Sequence, residues 1–308
     1  MNITRKIFLT RSHLLPWVLA ARPKTLYAGI APVILGSALA LQAGSFQLIP
    51  AILCLLFSFF VQIGCNYAND YYDFVNGVDT KERIGFKRMV SSGVIEPKSM
   101  KLATFLVLLA AFFIGFGLIR YGGWELLLVA GMSIACAIAY TGGPFPLGYY
   151  GLGDIFVFIF YGLIAVMFTF YVQANHFSMS AFWVAVGCGC LAANIRLVND
   201  VRDKETDSKA GKKTSVVRFG YKFCYMQYST STFIACCLVP LILVTKFSFN
   251  MWIFLPTLLI VMYIRIIVNL INAKTNTRMG ESYNTLLAQS AKMLFLYAVL
   301  LSVGIFLN

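Results

Sequence analysis

Nine stretches of this chain stay apolar for about 20 residues each, the length that crosses the hydrocarbon core of a bilayer. They fall at 24–43, 48–69, 100–120, 122–141, 152–173, 177–199, 223–244, 248–271 and 288–307. Open backbone cannot face lipid, and these runs are continuous, with no alternation of polar and apolar residues, so helices are expected and a barrel is not. The third and fourth runs are separated only by Tyr121-Gly122-Gly123, which leaves eight and ten spans open as variants of the count. Of the 308 residues 59% are hydrophobic and 12% charged, whereas a soluble domain carries about 25% charged residues. The expected architecture is all-α and polytopic: one transmembrane domain over 1–308 with about nine helices, opening with a tail at 1–20. The tail carries Arg5, Lys6 and Arg11 but no small-residue cleavage site, so no removable signal peptide is expected.

Lys and Arg set the expected orientation. Arg5, Lys6, Arg11, Arg22 and Lys24 precede or open the first run. Further clusters follow the second run (Lys81, Arg83, Lys87, Arg88, Lys98, Lys101) and the sixth (Arg202, Lys204, Lys209, Lys212, Lys213, Arg218, Lys222). Lys274 and Arg278 follow the eighth, and in a nine-helix count all four groups share one side, against little beyond Arg120 and Lys246 opposite. The positive-inside rule makes that side cytoplasmic, with the N-terminus inside. The net charge of +13 is thus mainly topological. It also suits an anionic ligand, while no soluble basic domain exists to bind nucleic acid. The eight Cys show no C-x-x-C pair or zinc spacing and read as small packing residues.

Acidic residues are scarce and clustered. Of twelve, Asp70, Asp73, Asp79 and Glu82 lie in one window, and Asp200, Asp203, Glu205 and Asp207 in another. Each window closes an apolar run on the same side. If the second run stays helical past Cys65, Asn66, Asp70 and Asp73 form one stripe and Asn69 with Asp73 an overlapping one, with Gly77 ending the helix. Asn199, Asp203 and Asp207 recur every four residues on another helix face, beside Arg202. Carboxylates are costly near a bilayer, and clustered ones repel unless a cation lies between them. Carboxylate and amide oxygens without His or Cys are hard ligands that favour magnesium or calcium over zinc. Magnesium takes one or two protein carboxylates plus substrate phosphates, so two facing stripes suit a diphosphate bridged by metal. No Walker A, dinucleotide or H-E-x-x-H motif is present.

At these residues the chain resembles the UbiA superfamily of intramembrane prenyltransferases. Asn69-Asp70-x-x-Asp73 with Asp79 is similar to its first signature, and Asn199-x-x-x-Asp203-x-x-x-Asp207 to its second. Arg22-Pro-Lys-Thr-Leu26, Tyr140-Thr-Gly-Gly-Pro-Phe-Pro146, Gly151-Leu-Gly-Asp154 and Gly211–Gly220 resemble its menaquinone branch, the 1,4-dihydroxy-2-naphthoate polyprenyltransferases. The extra Asn66 and the gap from Asp73 to Asp79 depart from the commonest form, which leaves open which oxygens contact metal.

The resemblance implies nine transmembrane helices around a central cavity capped by the two cytoplasmic loops. It implies also Mg2+-dependent transfer from a polyprenyl diphosphate to dihydroxynaphthoate, with loss of carbon dioxide, in a bacterial inner membrane. It implies metal contacts at Asn69, Asp73, Asp79, Asn199, Asp203 and Asp207, with Asp70, Asp73, Asp203 and Asp207 as the catalytic carboxylates. Arg202, Lys213 and Arg218 are the expected diphosphate contacts, ahead of Arg83, Lys87 and Arg88. Arg22, Lys24, Asn66, Tyr140 and Asp154 are expected around substrate, and Ser91–Ile95 as a cap. Another acceptor, such as 4-hydroxybenzoate or a naphthoate isomer, is the nearest alternative. A secondary transporter is the rival of another class.

Overall fold

The computed structural model describes residues 14–79, 88–246, 250–273 and 279–307, without the side chains of residues 24 and 279–281. Among these residues there is no β-strand. After a helical turn at 14–21 and a short 3₁₀ turn at Pro23–Thr25, the chain runs through long helices in the order the hydropathy predicts. They are α1 (Tyr27–Gln42), α2 (Leu48–Val75), α3 (Pro97–Gly122), α4 (Glu125–Ala139), α5 (Gly153–Ala174), α6 (Met179–Lys209), α7 (Ser215–Val244), α8 (Met251–Asn272) and α9 (Met279–Phe306). Seven of these are long and apolar enough to cross a membrane; α1 and α4 are apolar but shorter, so length alone does not establish the expected nine.

Helix α6 is the central post. In its most apolar window 78% of residues are buried inside the protein, against 28% for α2, α3 and α5. It packs on α5, α7 and α9, while α2 pairs with α3 and α1 with α9. The core these contacts build includes Leu35, Val166, Val184, Leu197, Tyr228, Leu287, Leu294 and Tyr297. Exposed Phe105, Phe113, Leu128, Leu241 and Val261 face outward, as expected where the solvent is hydrocarbon. The chain is an integral membrane protein.

Two features of the helices bear on the site. Helix α2 runs six residues and α6 ten residues past the predicted span ends, so Asp70 and Asp73 of the first acidic window and all of the second are helical. Helix α5 contains a π-helical turn at Phe158–Ile164, a geometry common at functional sites. It sets Tyr161 against Gln62 of α2, hydroxyl to amide oxygen.

Candidate active site

The two acidic helices end alike. In α2, Val78 N–H bonds to the Asp73 carbonyl (2.9 Å) and Gly77 N–H to Phe74 (3.0 Å). In α6, Lys212 N–H bonds to Asp207 (2.9 Å) and Gly211 N–H to Ser208 (3.1 Å). Both are Schellman closures, which need a left-handed residue just past the helix. Gly77 and Gly211 supply it with φ 68° and 73°. Asp73 and Asp207 therefore occupy the same position in the last turn of their helices. The closure also turns the chain back over the helix end, bringing Asp79 N–H to 3.3 Å from the Asp73 carbonyl and Lys212 over the carboxylates.

Both ends border one cavity of about 320 Å³, to which α2, α4, α5 and α6 contribute most of the wall. At its polar end stand Asn69, Asp73, Asn199, Asp203 and Asp207, with Arg88, Arg202 and Lys212. Deeper lie Arg22, Asn66, Tyr140 and Arg196, and beyond them Phe57, Val61, Leu126, Phe156, Phe160 and Phe168. The cavity thus joins a charged end to an apolar trough, the shape of an anionic headgroup with a hydrocarbon tail.

Cations bind the two motifs together. Lys212 Nζ lies 3.5 Å from Asp73 Oδ1 and 3.5 Å from Asp207 Oδ1, and 4.4 Å from the Tyr149 ring centre. Asp73 also accepts from Arg88 Nη2 and from the Tyr149 hydroxyl, both at 2.7 Å. Burial pushes the Tyr149 phenol well above its ordinary value, and the negative charge of Asp73 adds to the shift, so Tyr149 stays protonated as a donor. Arg202 grips its neighbour Asp203 through two nitrogens at 2.8 and 2.7 Å and reaches Asn284 of α9 at 2.8 Å. Asn69 accepts from the Thr141 hydroxyl at 2.8 Å. Among the described residues no three acidic, His or Cys side chains converge into a ready cage. The donor set nevertheless fits magnesium, whose phosphate-bound form needs only one or two carboxylates at each ion.

Other expected site residues lie elsewhere. Asp70 does not border the cavity: its two oxygens accept from the backbone N–H of Met89 (3.0 Å) and Val90 (3.1 Å). It anchors the cap segment, whose Met89, Val90 and Ile95 pack with Ala20, Ala21, Tyr67 and Met100. Asp79 pairs with Arg88 at 3.5 Å and stands outside the lining. Asp154 lies behind Arg196, 3.3 Å from it. Lys213 and Arg218 are exposed against the 148–151 turn, and neighbouring Lys212 and Thr214 line the cavity in their place. The tight turn at Gly211 decides which side chain turns inward, and the sequence spacing carries no sign of it. Asn66 is held by the Ala21 carbonyl (2.9 Å) and Thr25 (3.3 Å), fixing the segment that carries Arg22. Lys24's side chain, Arg83 and Lys87 lie outside the described residues.

Sequence reasoning missed Lys212, Tyr149, Thr141 and Arg196. Arg196 could have been found, as a cation inside an apolar run is a functional candidate by default. The other three come to the site from loops.

Lys212→Met is expected to weaken binding of an anionic ligand such as pyrophosphate at this end by at least ten-fold, since a charged hydrogen bond contributes about 1.5–3 kcal/mol. Equilibrium binding of pyrophosphate to the solubilised protein measures it, and an unchanged Kd would remove Lys212 from the site.

The UbiA prenyltransferase family model matches residues 30–305. The chain belongs to that family. It is similar to the 1,4-dihydroxy-2-naphthoate octaprenyltransferases of Haemophilus influenzae (38% identity, covering 71% of this chain and 78% of that one) and Escherichia coli K12 (39%, covering 66% and 68%). The fold is shared with a UbiA homolog from Archaeoglobus fulgidus bound to GPP and Mg2+ (TM-score 0.63, 15% identity, covering 95% and 100%). It is shared also with a digeranylgeranylglyceryl phosphate synthase (TM-score 0.61, 17% identity, covering 96% and 99%). As a UbiA-family member the chain is a membrane prenyltransferase, as its sequence motifs predict.

Proposed function

We propose that this UbiA-family enzyme transfers a polyprenyl group from an allylic polyprenyl diphosphate to 1,4-dihydroxy-2-naphthoate. The ring carboxylate leaves as carbon dioxide and the diphosphate as pyrophosphate, giving demethylmenaquinol. The observation that carries this reading is the convergence of Asp73, Asp203 and Asp207 on the charged end of a cavity whose other end is apolar. The relatives' names supply the acceptor.

Asp73, Asp203 and Asp207, with Asn69 and Asn199, would hold magnesium, which shields the diphosphate charge and makes it a better leaving group. Lys212, Arg88 and Arg202 stand where they can take the outer phosphate oxygens. Tyr149 keeps Asp73 in place, and Thr141 does the same for Asn69. The allylic tail enters the trough, where Phe156, Phe160 and Phe168 exclude water and offer π faces to developing positive charge. The acceptor ring meets the reacting carbon between the two levels, near Arg22, Tyr140 and Arg196. The cap segment closes the charged end, held by Asp70 and by Arg88 on Asp73. The positive-inside rule, applied to the Lys and Arg clusters, supports a cytoplasmic location for that end and for the N-terminus, and the bacterial relatives support an inner membrane.

The test is turnover of detergent-solubilised protein with 1,4-dihydroxy-2-naphthoate and farnesyl or longer diphosphate, with magnesium and with EDTA. A prenylated quinol and carbon dioxide are expected with magnesium, and neither with EDTA. Prenylation of 4-hydroxybenzoate alone would replace the acceptor, and metal-independent turnover would remove the metal site.

A further inference from the structure

Arg196 lies seven residues before Asp203 on α6, roughly 10 Å deeper along the helix. It borders the cavity and is largely buried, with 13% of its side chain exposed. Its guanidinium is held from several directions. Asp200, one turn along α6, lies 3.1 Å from Nη2, and Asp154 at the start of α5 lies 3.3 Å from Nε. The Gly148 carbonyl accepts from Nη2 at 3.3 Å, and the Tyr140 hydroxyl accepts from Nη1. Asp154 is in turn held by Ser215 and by Gln227 at 3.4 Å, so α5 and α7 both contribute to fixing the group. Gly153 leaves the room: a Cβ there would collide with the guanidinium carbon.

Two carboxylates around one cation already exceed its charge, so the cluster is not a free anion trap. Arginine only donates, so the Tyr140 oxygen accepts from it, and the phenol hydrogen must point to another partner. Tyr140 and Arg196 border the same cavity, between the acidic end and the apolar trough. A buried hydroxyl with one fixed acceptor role is a directional donor, the kind of polar group that orients a flat ligand in an apolar pocket.

We infer that Arg196 is a positioning residue: braced by Asp154 and Asp200, it fixes the Tyr140 hydroxyl as a hydrogen-bond donor to an oxygen of the aromatic acceptor. This rests on the function proposed above. The group served is a phenolate or carboxylate oxygen on the acceptor ring, and the diphosphate lies a level higher, among the motif carboxylates.

The experiment compares Tyr140→Phe, Arg196→Lys and the double variant in solubilised full-length protein, varying acceptor and prenyl diphosphate separately. Lysine keeps the charge but cannot reach Tyr140 and both carboxylates together. Each single variant is expected to raise the acceptor KM about ten-fold, the effect of one lost hydrogen bond. The diphosphate KM should stay within two-fold, and the double variant should match the singles. Additive effects, or a change confined to the diphosphate KM, would overturn the inference. If Arg196→Lys does not accumulate folded, Asp200→Asn takes its place in the same comparison, with the same expected pattern. A wild-type protein that prenylates no aromatic acceptor overturns the function and this inference together. A wild type that turns over, with variants that break the pattern, overturns this inference alone.

Discussion

Asp73→Asn and Asp203→Asn are each expected to lower kcat by on the order of 1,000-fold in a protein that still folds, the scale seen when a preorganised charge-stabilising group is removed. Asparagine keeps the size and one oxygen, so at Asp73 that oxygen can still accept from Arg88 while the Tyr149 hydroxyl turns to accept from the new amide, and at Asp203 Arg202 keeps one of its two acceptors. What is lost is a unit of negative charge at the end of the cavity where, on the proposed function, magnesium would meet the diphosphate. The loss should be larger in kcat than in KM, because charge on the leaving diphosphate grows toward the transition state. Steady-state rates, together with thermal unfolding of the same preparations, check this. Turnover within ten-fold of wild type in both variants would sink the assignment of the metal to these carboxylates.

Asp70→Ala should also cost activity, about 100-fold, but by another route. Asp70 is 2% exposed and both its oxygens serve the cap backbone. Its removal strands two buried N–H groups, each costing about 1–3 kcal/mol, and frees the segment that presents Arg88 to Asp73. Cleavage by trypsin after Arg88 is expected to accelerate in Asp70→Ala and to stay slow in Asp203→Asn. The two variants would then be inactive for distinguishable reasons. An Asp70→Ala protein whose cap resists trypsin as wild type does, while activity still falls, would return Asp70 to the chemistry.

That contrast shows where sequence reading reached its limit. Asn69, Asp70 and Asp73 sit within about one helical turn and carry similar chemistry, and spacing alone gives all three a place in the site. A helix of 3.6 residues per turn points Asp70 and Asp73 about 60° apart. Whether that angle separates cavity from cap depends on what packs on each side. The same holds for Lys212 and Lys213: adjacent in sequence, they are sent to opposite sides by the Schellman turn at Gly211. The span boundaries failed more simply. Hydropathy falls where the acidic windows begin, but the helices continue because their polar residues find partners across the cavity.

By itself the sequence determined that the chain is all-helical and lives in a membrane, because apolar runs of this length have no other stable solution. It determined also that two short windows hold most of the negative charge, and so where the chemistry would be. Only the tertiary structure decided which of those residues share a cavity, that Lys212 binds the two motifs together while Arg88 pairs with Asp73 and Asp79, and that Arg196 lies beneath them braced by carboxylates from two helices. The reason is physical. Hydrophobic burial depends on local composition and can be read along a chain, whereas the partner of a buried charge is set by packing between segments far apart in sequence, as with Asp154 and Arg196.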